Sequence, residues 1–204
     1  MAGLLGNLRN TVILSFVLAI IFISAYYVQF GHGDMEIFAT AVFRWLHVLC
    51  GIMWIGLLYY FNFVQTRMMP SIPAELKPGV SKYIAPEALF WFRWAAAATL
   101  LMGIILAGSR HYIVQAYTLG LVEDNPPARA QHMLIGIGMW LGTIMAFNVW
   151  VFIWPNQKKA LGLVEADADA KAKAAKIAGQ FSRINTLLSI PMLVAMTMHQ
   201  TIFG

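Results

Sequence analysis

The sequence predicts an all-α, polytopic membrane protein built as a bundle of five transmembrane helices. Three observations predict it. Of 204 residues, 60% are apolar and 11% are charged, whereas a soluble domain carries about 25% charge. The charges punctuate apolar runs instead of gathering on one face, so the formal net charge of +5 marks topology and implies no nucleic-acid partner. Between the charges lie five long uncharged stretches: Thr11 to Phe30, Trp45 to Thr66, Trp94 to Ser109, Ala130 to Gln157 and Ile184 to Gly204. About 20 apolar residues rising ~1.5 Å each cross a hydrocarbon core of ~30 Å.

The chain reads as a single membrane domain, 1–204, with helices at about 11–30, 40–66, 88–110, 130–155 and 184–203. The first run follows Arg9, but it is too long for a signal-peptide core and no A-x-A site follows, so it is expected to stay as an uncleaved anchor. The third borrows Ala88 to Phe92 and lets Arg93 snorkel or face the bundle. Pro70, Pro73, Pro78 and Pro86 predict an inner loop over 67–87, because each removes an amide donor. The segment 158–182 is Ala-rich, and Asp167 and Asp169 each stand four residues before a lysine, Lys171 and Lys173. That spacing predicts a solvated inner helical extension. Tyr112 to Ala128 reads as an outer loop compatible with a short interfacial helix and stopped by Pro126-Pro127. Pro191 is expected to kink the fifth helix, and Gly138-x-x-x-Gly142 to pack a helix closely.

The positive-inside bias orients the bundle. With the N-terminus inside and the C-terminus outside, 11 of the 14 basic residues lie on the inner side, and only Arg44, Arg110 and Arg129 lie outside. This places the histidines. His47 lies three residues inside Arg44, His132 three inside Arg129, and His199 five residues from the end of the outward-running fifth helix. At ~1.5 Å per residue all three fall within about two turns of the outer surface. His111 and His32 lie in outer loops, and the inner half has none.

Ionisable groups within a membrane span are costly and mark function by default. Imidazoles on facing helices can clasp a haem iron, and Arg44, Arg110 and Arg129 can pair with propionates at the boundary. Gly51, one turn below His47, would leave room for a flat ring lined by Trp45, Trp54 and Trp140. A histidine near a helix end also serves simply to join helices. A copper site drawing on the same histidines, with Met192, Met196 and Met198 nearby, is the alternative metal reading. The single cysteine, Cys50, reads as packing and excludes a disulfide framework, a thiolate zinc site and covalent haem attachment. Asn62, Gln65, Arg93, Asn148, Asn156 and Asn185 form an inner polar set, read as bundle cross-links or as an inner substrate pocket. Proton-coupled transport is disfavoured, since no span carries a mid-membrane carboxylate.

Several segments resemble the membrane domain of the bacterial membrane-bound urate oxidases (urate hydroxylases). They are Arg44-Trp-Leu-His47 through Gly56, Tyr83 through Trp94, Leu141-Gly-Thr-Ile-Met through Asn148, Trp154-Pro-Asn-Gln-Lys-Lys159, and Pro191 to His199. The resemblance implies a multi-pass domain of the bacterial inner membrane, often followed by a cytochrome c domain. This chain has no C-x-x-C-H. The expectation is therefore a haem b redox module, with Trp54 near the haem, passing electrons to a separate periplasmic cytochrome c. The competing expectation is a non-catalytic accessory subunit of a larger membrane complex, its aromatic surface facing partner helices or other copies in an oligomer. Looser similarity extends to other small membrane redox proteins, among them the membrane protoporphyrinogen oxidases.

Overall fold

The computed structural model describes residues 6–30 and 34–203, and within them the chain is helical without a strand. Five helices are long and apolar enough to cross a membrane. They are α1 (Leu8–Phe30), α2 (Met35–Ser71), α3 (Lys77–Ser109), α4 (Pro126–Ala160) and α5 (Ala168–Phe203). The chain is thus a multi-pass membrane protein of all-α class.

Local chemistry sets the ends. Asp34 caps α2, its carboxylate accepting from the amides of Glu36 and Ile37 at 2.9 and 3.2 Å. Pro126 and Pro127 occupy the first turn of α4, where the missing donors cost nothing. Asp167 accepts from the Ala170 amide at 2.7 Å at the start of α5.

Two boundaries differ from the sequence expectation. The proline-rich stretch 67–87 is largely helical: α2 ends in a 3₁₀ turn at Met69–Ser71, and α3 begins at Lys77. Pro78 sits in the first turn of α3, where its absent N–H has no partner anyway, while Pro70 lies in the 3₁₀ turn that ends α2 and Pro86 follows the π-helical segment Val80–Ile84 within α3. Similarly, 158–182 is not one extension. α4 runs to Ala160, a turn with Gly162 at φ +73° reverses the chain, and the charged Ala-rich segment from Ala168 is continuous with α5.

α2 packs along α3 and α5 along α4, and α3–α4 and α2–α5 contacts close the bundle. The core holds Trp54, Leu58, Phe92, Met145, Val149, Ile153 and Met192. α1 leans on α2 through Phe16 against Trp45 and Tyr27 against Phe38, and otherwise presents its apolar side chains outward. A short helix, Ile113–Tyr117, lies between α3 and α4 and docks on α4.

The two-glycine motif divides. A Cβ added at Gly138 would come within 3.2–3.3 Å of Ala195 and Met196 of α5, the close approach expected, while one at Gly142 would have nothing within 4 Å. The glycine that permits the tightest contact is Gly136, whose absent Cβ would overlap the Ala116 carbonyl of the short helix.

Candidate functional site

α2, α4 and α5, with the segment after α3, enclose a cavity of about 830 Å³ at the end of the bundle where α3 stops and α4 starts. That is within the ~300–1,000 Å³ of small-molecule sites. Its walls combine Thr40, Ala41, Trp45 and Phe203 with Arg44, Arg110, Tyr112, Gln131, His132, His199 and Gln200. Two guanidiniums, two imidazoles and no carboxylate among those residues give it a basic character.

His132 comes from the second turn of α4. Its Nδ1 stands 3.5 Å from the Glu123 carboxylate, an ion-pair distance without hydrogen-bond geometry, and its ring stacks on Tyr112 at 6.2 Å. The carboxylate thus places negative charge beside the imidazole without hydrogen-bonding it. His199, from the last turns of α5, is 8% exposed, and its Nδ1 is buried with no hydrogen-bond partner. Buried polar atoms are nearly always satisfied, so the orphaned Nδ1 atoms of His132 and His199, with the Thr40 hydroxyl, mark this cavity wall as polar surface without a partner. Arg44 reaches across to donate to Gln200 Oε1 at 2.7 Å, tying α2 to α5 beside the opening. Burial pushes the Tyr112 phenol up, while the positive charges of Arg44 and Arg110 pull it down.

The structure separates the other sequence candidates from this cavity. His47 sits in the α2–α3 seam: its Nδ1 is 2.9 Å from the Thr99 carbonyl, and its ring lies over Gly103, where a Cβ would come within 2.9 Å. The glycine making room for that ring is Gly103 of α3; a Cβ at Gly51 would instead meet the Thr99 methyl at an ordinary 3.8 Å. Arg129 is occupied, Nε and Nη2 both donating to the Glu123 carbonyl at 3.0 and 2.6 Å. Trp54 is buried in the core, away from the cavity wall. Trp140 donates to the Tyr117 carbonyl at 3.0 Å. His111 is exposed, 4.0 Å from Glu36, and His32 lies outside the described residues.

The inner polar set falls into pairs. Asn148 donates to Asn185 Oδ1 at 2.8 Å, and Asn185 donates to the Met145 carbonyl at 2.9 Å. Asn62 donates to Ser182 at 2.8 Å. Both α2 and α4 widen to π-helix there, at Tyr60–Gln65 and Asn148–Ile153. A π segment frees backbone carbonyls, and these amides take up carbonyls at Leu58 and Met145 just before it. Arg93 stands apart, over the ring of Trp154.

Tyr112, Glu123, Gln131 and Gln200 were not among the sequence candidates. The only signal for them was proximity in sequence to Arg110, His132 and His199.

Among the described residues no three His, Cys, Asp or Glu side chains converge as a metal-binding group. Haem brings its own equatorial nitrogens and asks the protein for only one or two donors. The cavity residues fit that demand: imidazoles on two helices, guanidiniums for carboxylates, and sufficient volume.

No curated protein and no solved structure matches the chain. Residues 123–202, which carry α4, α5, both cavity histidines and Glu123, match the urate oxidase N-terminal family.

Proposed function

We propose that the chain is a urate oxidase-like membrane redox module that binds haem b in the cavity walled by His132 and His199. In this reading the cavity end faces outward from the bacterial inner membrane, and electrons leave to a separate cytochrome c or to a partner in a larger complex. The observation that carries it is the pair of imidazoles on one basic cavity, each with a buried Nδ1 that has no hydrogen-bond partner.

His132 and His199 would hold the iron, and bound haem would supply one-electron chemistry within the membrane. Glu123 places a negative charge beside the His132 ring. Arg44 and Arg110 provide the positive end that propionates require, and the Arg44–Gln200 bond holds one of them in place.

Titrating haemin into the detergent-purified protein tests this. One equivalent is expected to bind with a saturable Soret change. The double variant Arg44→Gln/Arg110→Gln should bind about tenfold or more weakly, since charge-assisted hydrogen bonds contribute roughly 1.5–3 kcal/mol each. Arg129→Gln should bind as the parent does. Absence of saturable binding would overturn the reading.

A further inference from the structure

At the opposite end of the bundle two cations share one indole. The Arg93 guanidinium lies 3.9 Å from the centre of the Trp154 ring and 5.2 Å from that of Phe90, and the Lys158 ammonium lies 5.5 Å from the same Trp154 centre. The two charges are therefore no farther apart than about a Debye length, ~8–10 Å. Both side chains are half-buried, and Arg93 Nη1 is buried without a hydrogen-bond partner.

No acid balances them. Among the described residues, the ion pairs within 4.0 Å are His111 with Glu36 and His132 with Glu123, both remote from this cluster. The nearest acid before Arg93 on α3, Glu87, accepts from Trp91 Nε1 at 2.9 Å. Cation–π contact contributes about 0.5–2 kcal/mol per cation, but it neither neutralises charge nor satisfies an N–H. Two like charges drawn to one ring, one with an unused buried donor, leave an anion-shaped gap in the electrostatics.

Arg93 is 16 residues before the end of α3, about 24 Å along the helix axis from the cavity end. That depth is close to the far boundary of a ~30 Å core, where phosphates of the bilayer begin. Basic pockets between transmembrane helices at such a boundary take phosphate head groups. A guanidinium suits this role because its planar fork gives two parallel bonds to two phosphate oxygens.

We infer that Arg93 and Lys158, braced on Trp154, form a binding site for one phosphate-bearing anion. The source is the head group of an anionic lipid or a free phosphate ester, and the site is independent of any haem.

Native mass spectrometry of the full chain released from phosphatidylglycerol nanodiscs tests the inference, alongside inorganic phosphate binding by the delipidated protein in detergent. The parent should retain one phosphatidylglycerol or bind one phosphate. Retention of lipid that excess phosphate does not displace identifies a lipid site. Phosphate binding without lipid retention identifies a soluble ligand. Arg93→Gln and Lys158→Gln should each weaken retention about fivefold, on the ~1 kcal/mol that one basic residue contributes near such a surface. Arg93→Lys, which keeps the charge, should recover part of it and so exclude simple misfolding. Arg67→Gln, at an exposed arginine of the same end, should leave retention unchanged. Equal loss in Arg67→Gln, no loss in Arg93→Gln, or no ligand on the parent would overturn the site.

Discussion

His199→Ala and His132→Ala are each expected to lower bound haem about tenfold or more, while His47→Ala leaves haem content unchanged and lowers stability. The split follows from placement. His132 and His199 wall the cavity, whereas His47 spends its Nδ1 on the Thr99 carbonyl and its ring face on Gly103. Removing His47 leaves a void over Gly103 and an unfilled α2–α3 seam, a core truncation costing about 2–5 kcal/mol by analogy with other large-to-alanine changes. Glu123→Gln should weaken haem binding less than loss of either histidine, because the carboxylate lies 3.5 Å from His132 Nδ1 without hydrogen-bonding it. Haem quantified as the pyridine haemochrome, with thermal unfolding in detergent measured in parallel, distinguishes the roles. Haem lost from His47→Ala but kept by His199→Ala would reverse the assignment.

The second large effect is at Gly136. A methyl there collides with the backbone carbonyl of Ala116, and the short helix carrying that carbonyl cannot easily retreat. Trp140 donates to the Tyr117 carbonyl at 3.0 Å, and the Tyr117 and Thr143 hydroxyls are 2.9 Å apart. Overpacking costs about 1–3 kcal/mol when side chains can adjust. Here a backbone must move, so Gly136→Ala should reach or exceed the upper figure and lower the unfolding temperature clearly. It should also weaken haem binding, because Tyr112 and Glu123, which flank the short helix, contact His132. Gly142→Ala, six residues further along α4 where an added Cβ has nothing within 4 Å, should be neutral or stabilising by up to ~1 kcal/mol from helix propensity. Equal effects from the two substitutions would contradict the docking of the short helix on α4.

Hydropathy carries the five spans because a bilayer demands ~20 apolar residues whatever the packing. The proline segment misleads because proline count ignores position: Pro78 sits in a first turn, where no donor is needed, Pro70 in a helix-ending turn, and Pro86 just after a π-helical segment. In the site, the helix rise gives depth, so histidines near one end are legible. It does not give the partner each helix face meets. His47 turns toward α3 while His132 and His199 turn toward a common cavity, and only the packed bundle decides that. The same holds for glycine. Nothing local separates Gly51, Gly103, Gly136 and Gly142, and what each permits depends on whichever neighbour arrives.

The most direct test of haem at the His132–His199 cavity is the absorption spectrum of the native protein purified from membranes, oxidised and then reduced. A Soret band and a reduced α band are expected at about one haem per chain, both lost in the His132→Ala/His199→Ala double variant. A folded native protein with no haem absorbance, or haem absorbance that survives the double variant, would contradict haem at this cavity.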